Sequence, residues 1–281
     1  MRAVPLFAGE GRFTCLGMKR HIPFLDDAPR VNVIRLEGAI MSRKGSLNDQ
    51  SVAPAIERAF RKGKPVAVAL AINSPGGSPV QSALIAARIR RLAAEKDIPV
   101  HAFVEDVAAS GGYWLACAAD RIHVDESSIV GSIGVISSGF GFDRFIAKHG
   151  IERRVHTSGR SKSQLDPFRP ENSEDVERLK ALQEDIHQSF IAHVKRARGS
   201  RLSEGEELFD GRFWTGTRGV ALGLADGIGH LVPRLKEIYG DRTRFTVFGP
   251  KRSLLRRVGV DLASGLAGQV EEQALWARFG L

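Results

Sequence analysis

Cysteine is nearly absent from this chain, with two residues, Cys15 and Cys117, in 281. Two thiols cannot build a disulfide framework, and they stand at no metal-ligand spacing, so neither a stapled small domain nor a zinc module is indicated. Cys117 lies in an apolar helical stretch and reads as a buried thiol, the usual place for a free cysteine. Long apolar runs are missing as well. The longest stretch without charge, 65–87, is interrupted by Asn73-Ser74-Pro75-Gly76-Gly77-Ser78-Pro79, whereas a membrane span takes about 20 mostly apolar residues. The N-terminus holds Arg2, Glu10, Arg12, Lys19 and Arg20 with no apolar core between them. Neither a signal peptide nor an anchor is expected there. The net charge of +9 is spread along the chain and follows no zinc-finger, RRM or helix-turn-helix pattern, so nucleic acid is not expected as a partner.

What is present reads as a parallel α/β sheet. Residues 1–30 show little periodicity and form an irregular arm. A strand is expected over Val31–Ile40, and a helix over Val52–Lys62 with Val52, Ile56, Ala59 and Phe60 on one face. The continuous apolar run Pro65–Ile72 has the length and composition of a strand buried on both faces. Ser78 and Pro79 start a helix that runs to about Lys96. Strands follow at Pro99–Val104 and Arg121–Val124, around a helix over 110–119. Such alternation defines a parallel sheet with helices packed on it. Further on, Ile129–Ile136 is β-like, Phe142–His149 a short helix and Arg153–His156 a strand. The longest helix spans Ser173–Arg198, with an apolar stripe from Val176, Leu179, Leu182, Ile186, Phe190, Val194 and Ala197. Acidic residues in its first turn and basic ones in its last suit the helix dipole. Another helix covers Arg218–Ala225. The tail, 241–281, adds a strand and an amphipathic helix whose basic start is Lys251, Arg252, Arg256 and Arg257. It reads as a packing or oligomer helix, or as a membrane-surface helix.

Two loops carry candidate chemistry. Asn73-Ser74-Pro75-Gly76-Gly77 follows the buried strand, and Ala109-Ser110-Gly111-Gly112-Tyr113-Trp114 opens a helix after the next one. Loops at the carboxyl ends of parallel strands line one crevice. Paired glycines let a ligand approach the backbone and expose N–H donors, which at a helix start can stabilise an oxyanion. Ser110 is the candidate nucleophile, with Gly76 or Gly77 and Gly111 as donors. Serine before a helix is also a common N-cap, and Gly-Gly is common in turns.

A serine nucleophile needs a base. The eight histidines, His21, His101, His123, His149, His156, His187, His193 and His230, stand in no recognisable motif. His123 and His156 are weak triad candidates. A neutral lysine can serve instead, provided burial brings its pKa from about 10.4 to near 7, at a cost of about 4 kcal/mol. Lys162, in Thr157-Ser158-Gly159-Arg160-Ser161-Lys162-Ser163, is the candidate. Taken alone it reads as a solvated loop lysine.

Together these segments resemble the signal peptide peptidase A family in its short, single-repeat form. The resemblance spans about residues 31–235. It rests on the two glycine loops, Val130-Gly131-Ser132-Ile133-Gly134-Val135, Ser158-Gly159 followed by Lys162, and Gly211-Arg212 with Trp214-Thr215-Gly216 and Gly223-Leu224-Ala225-Asp226. It implies a Clp- and crotonase-like, mostly parallel sheet spiral over 31–240, with Ser110 as nucleophile, Lys162 as base and Gly76, Gly77 and Gly111 in the oxyanion region. Clp-type peptidases place a histidine where this chain reads Ile133-Gly134-Val135, and that departure favours a Ser–Lys dyad. The resemblance further implies hydrolysis of hydrophobic or unfolded peptides, such as remnant signal peptides, without metal or organic cofactor. It also implies ring-like homo-oligomers in which Lys162 can serve the Ser110 of a neighbour. Family members commonly carry an N-terminal anchor. Without one, the expected location is cytoplasmic, with peripheral membrane contact through the C-terminal helix. Two rival readings remain: acyl-CoA chemistry on the same fold, and a non-catalytic scaffold at a membrane surface.

Overall fold

The computed structural model describes residues 28–43, 45–159, 161–249 and 266–281, with side chains of the last segment from residue 272 onward. The expected irregular arm before residue 28, Cys15 and the basic residues Lys251, Arg252, Arg256 and Arg257 lie outside the described residues.

Local sequence signals set most of the elements. Asn48 and Ser51 cap helix α1 (Asp49–Arg61) reciprocally: Asn48 Oδ1 accepts from the Ser51 amide at 2.9 Å, and Ser51 Oγ accepts from the Asn48 amide at 3.1 Å. This satisfies two of the N–H groups that a helix start leaves without partners. Ser78 caps α2 (Pro79–Lys96), proline occupies its first position, and Asp97 closes it in the left-handed conformation. Asn172 caps α5 (Ser173–Arg198) by accepting from the Glu174 amide at 2.9 Å. The remaining helices are α3 (Gly111–Ala116), α4 (Asp143–Lys148), α6 (Gly216–Ala221), α7 (Leu231–Tyr239) and α8 (Leu266–Ala277).

Among the described residues, eight strands form one sheet: β1 (Arg30–Glu37), β2 (Ala67–Ser74), β3 (Val100–Ala109), β4 (Arg121–Val124), β5 (Ile129–Gly131), β6 (Phe213–Thr215), β7 (Gly227–Ile228) and β8 (Arg244–Phe248). The main path runs β6-β5-β3-β2-β1-β8, and every pairing is parallel except β5 with β6. Strand β3 divides its partners. Its start, His101–Phe103, pairs with β4, while its end, Val107–Ala109, pairs with β5. The sheet therefore branches along β3, and β5 lies beside the strand end that leads into Ser110. Strand β2 is buried along nearly its whole length, as the apolar run predicts for a strand covered on both faces. On one face α1, α2 and α3 close a core that includes Ile34, Leu70, Ile85 and Tyr113. On the other, Leu235 and Tyr239 of α7 pack against Val31, Ala69 and Phe103.

The mostly parallel α/β sheet with flanking helices is the architecture the sequence indicates. Several local expectations fail. Ile129–Ile136 is a strand only over three residues, and Arg153–His156 is not a strand. The apolar stripe of α5 is buried only at Phe190 and Val194, joined by Arg198. Among the described residues from Ile136 to Ser189, none is buried. Periodicity revealed an apolar face, but the described residues supply nothing to cover its first half.

Two buried polar groups tie stability to pH. Arg198, 2% exposed, donates to Asp226 at 2.7 Å, and the Ile122 amide donates to the same carboxylate at 2.7 Å. Burial raises the pKa of Asp226, but these donors outweigh it and hold the value down to about 2. His123 is 4% exposed, and neither ring nitrogen has a hydrogen-bond partner among the described residues. Burial, followed by the Arg234 guanidinium, brings its pKa down to about 4. In the unfolded chain His123 returns to about 6.5, so unfolding takes up a proton. Its neutral-state contribution is intact above that pH and is lost as pH falls toward 4, by roughly 3 kcal/mol in all. The Asp226 contribution is intact above about 4 and is lost between 4 and 2. Burial also lowers the pKa values of His101 and His193, so thermal melts across pH should show the midpoint falling in two stages, and His123→Phe should shrink the first. A melting profile of His123→Phe that follows wild type from pH 6.5 to 4 would refute the assignment.

Candidate active site

Ser110 sits where β3 ends and α3 begins. Its backbone has φ 52° and ψ −121°, and its side chain makes no capping bond. The N-cap role open to this serine is therefore not used. A non-glycine residue with this backbone is strained, by about 1–3 kcal/mol, and persists only where its surroundings fix it. The fixing contacts are visible. The Ser110 amide donates to Gly131 O at 2.8 Å, and Ser110 O accepts from the Trp114 amide at 3.0 Å. The fully buried Tyr113 donates its hydroxyl to Leu224 O at 2.8 Å.

The two glycine loops interlock at this corner. A methyl group on Gly76 would meet Gly111 N at 2.7 Å and Ser110 Cβ at 2.8 Å. One on Gly111 would meet Ser82 Oγ at 2.5 Å and stand 3.3 Å from Gly77 N. Gly77 has φ +136°, and a side chain there would run into Ile40 O. Only glycine lets the loops approach this closely.

The amides of these glycines are not equivalent. Gly76 is buried, and its N–H donates to Ser74 Oγ at 3.3 Å. The Gly77 and Gly111 N–H groups have no acceptor among the described residues, and Gly77 is exposed. Gly111 is the first residue of α3, where the amide has no intrahelical partner. Thus the structure brings Ser110 together with Gly76, Gly77 and Gly111, and leaves two of the three amides free. Sequence reasoning gave no supporting role to Ile40, Ser74 or Ser82. Ile40 donates its amide to Gly76 O at 2.8 Å and accepts from the Ser78 amide at 2.7 Å, which pins the loop. Ser74, within the Asn73–Gly77 motif, was the one of the three that the sequence marked.

The other motifs converge here too. Gly131 pairs with Ala109 and with Phe213 across β5, so the 130–135 and 211–216 segments stack beside the corner. His187 joins its Nε2 to Ile133 O at 3.0 Å and roots α5 at the same place. From the C-terminus, Phe279 packs with Val107 and Ala109, one residue from Ser110, and Glu272 accepts from the Ala39 amide at 3.3 Å.

Lys162 is not brought into this cluster. It is exposed in the turn 161–165, where its amide donates to Gly159 O at 3.2 Å, and no hydrogen bond links it to Ser110. The burial expected of it is absent among the described residues, none of which is buried from Ile136 to Ser189. Neither histidine takes its place: His156 is exposed, and His123 lies under α7 with Phe103 stacked at 5.1 Å. Cys117 is buried, and burial pushes its thiol up to about 12, so it is not a nucleophile near neutral pH.

A parallel α/β sheet that holds a serine at a strained strand-to-helix corner, beside free backbone amides, has the build of a serine hydrolase. Residues 93–238 match the model of peptidase family S49. The chain belongs to this family of serine peptidases. It is 49% identical to a protein of Brucella melitensis named Na(+)/H(+) antiporter NhaA, over 94% of this chain and 39% of that protein. Over half of that relative thus lies outside the match, and among the described residues here no helix is long and apolar enough to cross a membrane. It is 34% identical to the putative signal peptide peptidase SppA of Enterococcus faecium, over 58% of this chain and 47% of that one. A membrane-bound stomatin-specific protease, solved as a lysine-to-alanine mutant with a substrate peptide, aligns with a TM-score of 0.49 at 16% identity, over 83% of this chain and 96% of that chain.

Proposed function

We propose that this chain hydrolyses peptide bonds by acyl transfer to Ser110, with Lys162 as general base and the Gly77 and Gly111 amides as the oxyanion hole. The observation that carries this reading is the strained Ser110 corner flanked by two amides without acceptors. Ser110 Oγ adds to the scissile carbonyl, and its proton passes to the neutral Lys162 amine. The carbonyl oxygen becomes an oxyanion, stabilised by donors already fixed in place. The protonated lysine then gives its proton to the leaving amine, and a water deprotonated by the same amine releases the acyl group. Exposure of Lys162 within one chain supports pairing across protomers. The name of the Enterococcus relative, a putative signal peptide peptidase, supports hydrophobic or unfolded peptides, remnant signal peptides among them, as substrates.

The test is covalent labelling with a fluorophosphonate followed by peptide mapping. The label should fall on Ser110 alone. A label on another serine, or none under conditions where a peptide is cleaved, would sink the reading and return acyl-CoA chemistry to consideration. The oxyanion role has its own expected result. Gly77→Ala forces a methyl group against Ile40 O at a backbone angle that disfavours it. With the donor displaced, kcat should fall by about 10²–10³-fold, while far-UV circular dichroism stays that of the wild type. An unchanged kcat in a folded variant would remove Gly77 from the mechanism.

A further inference from the structure

Behind α3, on the side away from its Ser110 end, a groove of about 650 Å³ runs between α2 and the C-terminal half of α5. That volume is within the range of small-molecule sites, about 300–1,000 Å³. Its apolar lining includes Ala83, Ala86 and Ala87 of α2, Ala197 of α5, Trp114 of α3, and Cys117 and Ala119 just after it. The alanines at i, i+3 and i+4 leave the space that larger side chains would fill. Trp114 is held in place by His193, whose ring stacks on it at 4.6 Å and whose Nε2 joins Trp114 O at 3.0 Å.

The groove is cationic at one end. Arg90, Arg196 and Arg201 line it against a single carboxylate, Asp120. That carboxylate is already committed to Arg90 at 2.8 Å and to the Val100 amide at 2.8 Å. Arg201 is spent on Asp226 and on the carbonyls of Ala197, Arg198 and Asp120. Arg196 is exposed and has no hydrogen bond or ion pair among the described residues. The long walls are helices α2 and α5, whose interior backbone groups are satisfied internally, and no strand lines the groove, so an extended peptide would find no strand edge to pair with. An alkyl chain needs no such partner.

We propose that this groove binds a single-chain carboxylate amphiphile, a free fatty-acid anion. Its chain lies over the alanines and Trp114, and its head group is held by Arg196 with Arg90 beside it. The proposal does not depend on the peptidase mechanism, since none of these residues takes part in it.

The experiment is isothermal titration of the full chain with sodium dodecanoate below its micelle concentration, alongside dodecyltrimethylammonium and anionic vesicles. One dodecanoate should bind per chain, and the cationic amphiphile should bind at least about tenfold more weakly. Arg196→Glu should weaken dodecanoate about tenfold or more, as expected on removing a charge-assisted contact. Ala87→Trp, at an exposed position on the groove wall, should abolish binding by filling the groove. Thermal melts like the wild type show that both variants are folded. No uptake by the full chain, equal affinity for the cationic amphiphile, binding to vesicles alone, or wild-type affinity in both variants would overturn the proposal.

Discussion

Alanine at position 110 should reduce peptide hydrolysis on the order of 10⁶-fold, the scale of loss when a serine hydrolase is deprived of its nucleophile. The residual rate would come from the remaining donors and from binding. The same position carries a second, opposite expectation. Ser110 holds φ 52°, and alanine retains the Cβ that makes this angle costly, so Ser110→Ala should melt close to wild type. Glycine has no Cβ, and Ser110→Gly should relieve about 1–3 kcal/mol of backbone strain, offset in part by the extra freedom of glycine in the unfolded chain. An inactive Ser110→Gly that melts above an equally inactive Ser110→Ala would tie the strain to the nucleophile's placement. Substantial hydrolysis by either variant would show that the strained corner serves something other than covalent catalysis.

The sequence made the scaffold legible where local and tertiary demands agree. The buried run before Asn73 became β2, Ser78-Pro79 opened α2 as proline at the first position predicts, and Ser173–Arg198 is α5 to the residue. The two glycine loops were legible as partners because parallel strands deliver their carboxyl ends to one crevice. Choosing between Gly76 and Gly77 was beyond the sequence. That choice depends on Ser74 Oγ accepting the first amide and leaving the second, a side-chain contact with no periodic signature. The segment from Ile136 onward misled for a different reason. Apolar residues such as Leu182, 58% exposed, and Ile186, 38% exposed, look like core in a pattern that records only polarity. Burial needs a covering surface, and the described residues do not provide it.

That uncovered segment decides what to expect of Lys162. A base must be neutral when it acts, and for a lysine this requires low-dielectric surroundings. The turn that holds Lys162 is exposed, and its neighbours Phe140, Phe142, Phe145 and Ile151 are exposed with it. Whatever desolvates the amine therefore also covers these residues, and a second copy of the chain would do both at once. Lys162→Ala should lose about 10²–10⁴-fold in kcat, the usual weight of a general base, with the fold intact. If the pairing crosses protomers, mixing the inactive Ser110→Ala and Lys162→Ala chains should restore hydrolysis, because each mixed contact can unite an intact serine with an intact lysine. Pairing within one chain predicts no recovery. Near-normal turnover by Lys162→Ala would remove the lysine from the mechanism and leave Ser110 in need of another base.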